Sequence, residues 1–194
     1  AACLPRELEY LHLFQKSSTL LMSMFADAVD RLPRTLTTLR ASLVGDSAVE
    51  ALPPTISTLE CSSIGTAIFP KTLTSLTAGL SSLEDLPPLL CHLSLSISSL
   101  ETLSGSSKLR ELHRLTDLTL TEQSRHGKTI SPFWPPSLTR FHIVIGEEEL
   151  LESELDLLSG FDVEDQLSAQ RWAEAIPRSI TDLTWVGSVP AFQP

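Results

Sequence analysis

The sequence has few of the residues that build disulfide frameworks, metal sites or membrane spans. It contains only three cysteines, Cys3, Cys61 and Cys91, and no CxxC pair. An odd number of widely spaced cysteines argues against a disulfide framework and favours a reducing, intracellular compartment. No run of 18 apolar residues is present, so the sequence predicts no membrane span.

Basic residues are also scarce, with 14 Lys and Arg against 24 Asp and Glu. Nine of the acidic residues lie within 147–165, where there is no basic residue, and the rest of the chain is nearly neutral. A phosphate backbone is attracted by clustered basic residues, so we expect no nucleic-acid partner. The local acidity predicts an acidic insertion over residues 147–175, either helical or partly disordered.

The motifs that often carry chemistry are incomplete. The Gly-Lys-Thr run at 127–129 matches the end of a phosphate-binding loop, but the first glycine of that motif is replaced by Glu122. The Gly-Asp-Ser run at 45–47 lacks the GxSxG pattern of a nucleophile turn. The histidines are not spaced as HxxxH, and the acidic residues do not follow the DxDxDG pattern. We therefore expect no enzyme activity, no cofactor and no metal.

One phrase recurs along the whole chain. It consists of an apolar residue, Pro, two further residues, Leu or Ile, two mostly polar residues, and then Leu or Phe. Seven copies read LPRELEYLHL from Leu4, LPRTLTTLRA from Leu32, LPPTISTLEC from Leu52, FPKTLTSLTA from Phe69, LPPLLCHLSL from Leu86, WPPSLTRFHI from Trp134 and IPRSITDLTW from Ile176. An eighth copy, ELHRLTDLTL from Glu111, lacks the Pro.

The second half of each phrase alternates apolar and polar residues, which predicts a half-buried β-strand. The Pro has no N–H to donate and therefore belongs just before a strand. Each unit is too short to bury its own apolar face, so the units must stack and share one core. The predicted inward pairs are Leu11 and Leu13, Leu39 and Ala41, Leu59 and Cys61, Leu76 and Ala78, Leu93 and Leu95, Leu118 and Leu120, Phe141 and Ile143, and Leu183 and Trp185.

This phrase resembles the leucine-rich repeats, in particular the variants with LPxxL units found in bacterial effector proteins and protist repeat proteins. The resemblance implies an α/β repeat fold: a solenoid with a parallel β-sheet on the concave face and short helices or turns on the convex face. It covers residues 1–194 as one domain of about eight irregular units. The sequence departs from the family pattern because it has no asparagine for the usual asparagine ladder, and because its units vary from 17 to 42 residues.

The connections between the predicted strands differ in length. Residues 17–32 place apolar side chains on one helical face, which predicts a helix across the back of the first unit. The segments LSSLEDL from Leu80 and ISSLETL from Ile97 predict short apolar turns or 3₁₀ segments.

The residues that alternate with the inward pairs must point away from the core, where they form columns across the strands. The resemblance implies protein recognition by this concave face, and we predict a protein partner there. The alternative is a structural subunit that contacts its neighbours through the acidic insertion, with the outward residues serving only as solvated surface. The first predicted column is Tyr10, Thr38, Thr58, Ser75, His92, Asp117, Arg140 and Asp182; the second is His12, Arg40, Glu60, Thr77, Ser94, Thr119, His142 and Thr184; the third is Phe14, Ser42, Ser62, Gly79, Ser96, Thr121, Val144 and Val186. The predicted partner-binding residues are Tyr10, His12, Phe14, Arg40, Glu60, His92, Asp117, Arg140, His142 and Asp182.

Overall fold

The fold is built on one parallel β-sheet with a few short helices. The computed structural model describes residues 4–13, 29–41, 46–64, 68–80, 82–97, 108–122, 134–145 and 176–186. The strands are β1 (Tyr10–Leu13), β2 (Thr38–Ala41), β3 (Thr58–Ile64), β4 (Ser75–Leu80), β5 (His92–Ile97), β6 (Asp117–Glu122), β7 (Arg140–Ile145) and β8 (Asp182–Val186). The helices are a 3₁₀ helix (Val29–Arg31), α1 (Asp46–Glu50) and α2 (Lys108–Glu111).

The strands lie in the sheet in the order in which they occur along the chain, from β1 to β8, and all neighbours are parallel. Each of the eight phrases therefore contributes one strand. The sheet is open, with β1 and β8 at its two edges. This confirms the predicted parallel sheet with short helices and turns.

A tight turn precedes every strand, and the proline of the phrase helps to form it. The carbonyl oxygen of Pro33 accepts a hydrogen bond from the N–H of Leu36 at 3.0 Å. The same bond recurs in all eight phrases, and in the copy without Pro it joins Leu112 to Leu115. Since the turn uses only the carbonyl of the first residue, proline's missing N–H is no disadvantage there.

The inward side chains of the six inner strands, β2 to β7, form the core. All twelve predicted inward residues of these strands are buried. A parallel row of leucine and isoleucine side chains from the turns, such as Leu36 and Leu115, is fully buried beside them. At the two edge strands the predicted inward residues are not fully buried: Leu13 is 39% exposed and Leu183 is 47% exposed. Among the described strands, β1 pairs with β2 alone and β8 pairs with β7 alone.

Serine and threonine hydroxyls link neighbouring units where the asparagine ladder is missing. The Oγ1 of Thr74 donates a hydrogen bond to the carbonyl oxygen of Ser57, and the Thr74 N–H donates to the same oxygen. We call this row, immediately before the strands, the hydroxyl ladder. Its bonded pairs are Thr37 to Glu9, Ser57 to Thr37, Thr74 to Ser57, Thr116 to Cys91, Thr139 to Thr116, and Thr181 to Thr139.

A second row of hydroxyls lies two residues earlier, inside the turns. Thr72 Oγ1, for example, donates to the carbonyl oxygen of Ile56 at 2.8 Å, and Ser137 Oγ donates to that of Leu115 at 2.8 Å. Each hydroxyl thus satisfies a carbonyl of the preceding unit, which a buried backbone requires. In the last unit the buried oxygen of Ser179 has no hydrogen-bond partner within the described part of the chain.

One predicted column is wrong at a single strand. Ser62 was expected opposite Gly79, but the register between β3 and β4 shifts, and Ser63 is the partner of Gly79. The irregularity is a β-bulge, which adds one residue to β3 and displaces the residues that follow it. Strict alternation cannot predict such an extra residue.

Several other predictions concern residues that lie outside the described ranges. Of the helix expected over residues 17–32, only residues 29–32 are described, and they contain the 3₁₀ helix. Phe14 and the acidic insertion up to residue 175 also lie outside them. The turn predicted after β4 is present at Glu84 and Asp85, and Leu83 beside it is buried.

Candidate functional site: the polar face of the sheet

The polar face of the sheet consists of the strand residues that alternate with the core residues. Parallel pairing places them in two columns, each with one residue per strand. None of these sixteen side chains is buried. The first column is Tyr10, Thr38, Thr58, Ser75, His92, Asp117, Arg140 and Asp182; the second is His12, Arg40, Glu60, Thr77, Ser94, Thr119, His142 and Thr184.

These two columns match the predicted ones residue for residue. Nine of the ten predicted partner-binding residues lie on them, and the tenth, Phe14, is outside the described ranges. The structure therefore brings these nine predicted residues onto one surface.

The N-terminal end of the polar face carries two aromatic rings. Tyr10 and His12 are both on β1, and their rings meet edge to face with centroids 6.4 Å apart and planes at 80°. The side chains share a face because they are two residues apart on a strand. Tyr10 is 49% exposed, so much of its ring remains accessible to a partner.

An ion pair joins the next two strands. The Nε of Arg40 lies 2.7 Å from the Oε2 of Glu60, and both side chains are nearly half exposed. The pairing follows directly from the register, because the two residues are partners across β2 and β3. An exposed pair of this kind contributes little to stability, about 0–1 kcal/mol. Its guanidinium and carboxylate remain accessible to a partner.

A larger charged cluster lies across β5, β6 and β7. The carboxylate of Asp117 is at its centre, and both of its oxygens pair with the Arg140 guanidinium, with 2.7 Å between Asp117 Oδ2 and Arg140 Nη2. Oδ2 also lies 2.8 Å from His92 Nδ1 and accepts a hydrogen bond from Thr116 Oγ1 at 2.9 Å. One carboxylate therefore has three side-chain neighbours, which hold it in place.

The cluster changes the ionisation of its members. Burial raises the pKa of Asp117, but hydrogen bonds from Arg140 and Thr116, with the charge of Arg140 and a smaller electrostatic contribution from His92, outweigh burial and bring the pKa below its usual value. In return, the hydrogen bond and charge of Asp117 raise the pKa of Arg140, with a smaller contribution from Asp182. Both groups are fully charged at neutral pH.

An open cavity of about 170 Å³ lies next to this cluster, at the C-terminal end of the polar face. It is formed by β6, β7 and β8, which contribute alternate side chains of both columns. Its polar lining residues are Asp117, Thr119, Arg140, His142, Asp182 and Thr184.

Outside the polar face, the Cys61 thiol belongs to the core, and Lys108 pairs with Glu111 at 3.0 Å within α2. Burial, with a smaller contribution from the negative charge of Glu60, raises the pKa of the Cys61 thiol to about 12. The Cys61 side chain is therefore a neutral part of the core. No group of three or more His, Cys, Asp or Glu side chains suited to a metal ion is found among the described residues. No helix in these ranges is long and apolar enough to cross a membrane.

Sequence reasoning missed the residues that support the site. Thr116, which donates to Asp117, was not singled out, and Thr119 and Thr184, which line the cavity, were placed in the second column but not among the partner-binding residues. The signal for Thr116 was present, because a serine or threonine recurs immediately before most of the strands. The ion pairs were also implied by the columns, in which Arg40 stands beside Glu60 and Arg140 beside Asp117.

Comparison with known proteins adds no further constraint: no family model, curated protein or solved structure matches this chain.

Proposed function

We propose that this chain is a protein-recognition module that binds its partner through the polar face of the sheet. The observation that carries the proposal is an eight-stranded parallel sheet whose polar face remains accessible to solvent along its length. Parallel sheets are normally covered on both faces, and their strands are then apolar on both sides. Here two columns of one face carry mostly polar residues from β1 to β8, which suits a surface that meets water or a partner.

The proposal includes a leucine-rich-repeat solenoid as the architecture. It is supported by eight copies of one phrase, by strands that pair only with their neighbours in sequence, and by a core shared between units. Repeat proteins of this kind commonly use an extended face for binding. The resemblance to LPxxL repeats points to the same use.

The side chains available on the polar face suit a protein partner. Binding hot spots are enriched in tyrosine and arginine, which combine large contact area with hydrogen-bond donors. Tyr10, Arg40 and Arg140 are all exposed, and each lies beside polar residues of the neighbouring strands. The middle of the face carries small hydroxylated side chains, such as Ser75, Thr77 and Ser94, which permit close approach of another backbone.

The test is affinity capture from native extract with a matched pair of charge-reversal variants. Arg40→Glu with Arg140→Glu changes two charges on the polar face. Arg34→Glu with Lys71→Glu makes the same change at two exposed turn positions outside that face. We expect the first variant to lose a partner that both the parent and the second variant retain. Circular dichroism and thermal melting check that both variants are folded.

A third variant addresses the alternative of a structural subunit. Deletion of residues 147–165 removes nine acidic residues and no basic ones. A partner that is lost on this deletion, and retained by the polar-face variant, would contradict the proposal and assign the contact to the acidic insertion.

A further inference from the structure

The cavity at the C-terminal end of the polar face is too small for most organic ligands. Pockets that enclose a drug-sized ligand usually have a volume of about 300–1,000 Å³. The cavity of about 170 Å³ between β6, β7 and β8 has room for the end of one side chain. Because it opens onto the face that we propose for recognition, that side chain would belong to the protein partner.

The charges around the cavity do not cancel. In the first column, Arg140 stands between two carboxylates, Asp117 on β6 and Asp182 on β8. Its guanidinium is engaged by both oxygens of Asp117. Asp182 is exposed and makes no ion pair within the described ranges. Counted by its carboxylates and guanidinium alone, the lining has two negative groups, Asp117 and Asp182, and one positive group, Arg140.

We propose that this cavity accepts the positively charged side chain of a lysine or arginine from the protein partner. The inference rests on the proposed function and specifies the chemistry of one part of that surface. Asp182 supplies the carboxylate, and the hydroxyl oxygens of Thr119 and Thr184 supply neutral acceptors. An ammonium or guanidinium group is a donor only, so it needs a lining of acceptors.

An anionic side chain fits the same cavity poorly. It would meet a guanidinium whose Nε and Nη2 already bind Asp117, and Asp117 is also held by Thr116 and His92. It would then lie beside the uncompensated charge of Asp182. The chain as a whole carries a net charge of −10, which favours the approach of cations over anions.

The experiment uses small probes, so that it does not depend on the identity of the partner. Amide NMR spectra of the full ¹⁵N-labelled chain are recorded during titration with Nα-acetyl-lysine methylamide and Nα-acetyl-arginine methylamide, whose side chains keep their positive charge. N-acetyl-norleucine methylamide, which has no charge, and N-acetyl-glutamate methylamide, which has the opposite charge, serve as control probes. We expect saturable shifts at the amides of Thr119, His142 and Thr184 with the cationic probes, and much weaker effects with the two controls.

Three variants test the role of the charges. Asp182→Asn should weaken binding of the cationic probes about five-fold, as expected for an exposed ion pair. Glu50→Gln removes an exposed acidic residue in α1, outside the polar face, and should leave the affinity unchanged. Arg140→Gln releases Asp117 and should strengthen binding.

Two results would overturn the assignment. One is the absence of saturable shifts at these amides with either cationic probe. The other is stronger binding of the glutamate probe, dependent on Arg140, which would make the cavity a site for anions. Either failure is distinct from failure of the proposed function, which is decided by partner capture with the polar-face variants.

Discussion

The inner strands and the two edge strands have the same sequence pattern but different environments. In β6, a central strand, the inward Leu118 is 1% exposed, whereas the equivalent Leu183 in β8 is 47% exposed. The leucine and isoleucine of the turns behave in the same way: Leu73 and Leu115 are fully buried, but Leu8 and Ile180 are only partly buried. The phrase alone therefore does not determine whether its leucine side chains are buried. They are fully buried only where a neighbouring unit lies on each side.

This difference shows where the stability of the fold resides. In a stacked array, each unit gains from the interfaces with its neighbours, and the terminal units have one interface fewer. Equivalent substitutions should therefore have large effects in the middle of the sheet and small effects at its edges.

The largest difference is expected for truncation of an inward leucine. Leu118→Ala should lower the free energy of unfolding by about 3 kcal/mol, because it removes a fully buried side chain and leaves a cavity. Leu183→Ala should lower it by less than about 1 kcal/mol, because water already contacts almost half of that side chain. Urea denaturation followed by circular dichroism measures both values. Equal losses at the two positions would refute the distinction between inner and edge strands.

A smaller difference is expected in the hydroxyl ladder. Thr74→Val removes a partly buried hydrogen bond to the Ser57 carbonyl, and it should lower the free energy of unfolding by about 1 kcal/mol. Thr181→Val removes the equivalent but exposed bond to Thr139 and should have a smaller effect. The same denaturation experiment compares the two. If Thr181→Val lowers the free energy of unfolding more than Thr74→Val does, the hydroxyl ladder does not stabilise the central units more than the last unit.

The smallest difference at neutral pH concerns the two aspartates of the first column. Asp117→Asn disturbs the cluster with Arg140 and should lower stability by less than about 1 kcal/mol, and Asp182→Asn should change it even less. The Asp117 variant has a second signature in acid. Because the pKa of Asp117 is lower in the folded chain, its contribution is complete above the unfolded pKa of about 4 and is lost as the pH falls through the folded value.

Thermal unfolding between pH 2 and pH 7 detects this contribution. The parent should lose more stability than the Asp117→Asn variant as the pH falls below about 4. Parallel curves for the two proteins would show that the cluster with Arg140 and His92 does not stabilise the folded state.

Much of this organisation could be predicted from the sequence, because it follows from local periodicity. Alternation in each phrase predicted the strands, and the repeated phrase predicted their parallel register, so that Arg40 faces Glu60 and Arg140 faces Asp117. Such predictions work because a one-residue slip would turn every apolar side chain out of the core.

The features that escaped prediction depend on contacts between units or on departures from the repeat. The bulge in β3 replaced Ser62 by Ser63 opposite Gly79, and periodicity cannot reveal an extra residue. The exposure of Leu13 and Leu183 depends on the position of the unit in the array, which the phrase does not encode. The cavity depends on which of two carboxylates Arg140 engages, and that carboxylate, Asp117, is also contacted by Thr116 and His92.

The most direct test of this account is hydrogen exchange of the backbone amides, followed strand by strand by NMR. Amides exchange through local openings, which are rarest where the most contacts must be broken. The account predicts the slowest exchange in β3 to β6 and progressively faster exchange towards β1 and β8. Uniform protection of all eight strands, or the slowest exchange at the edges, would contradict a core that neighbouring units build together.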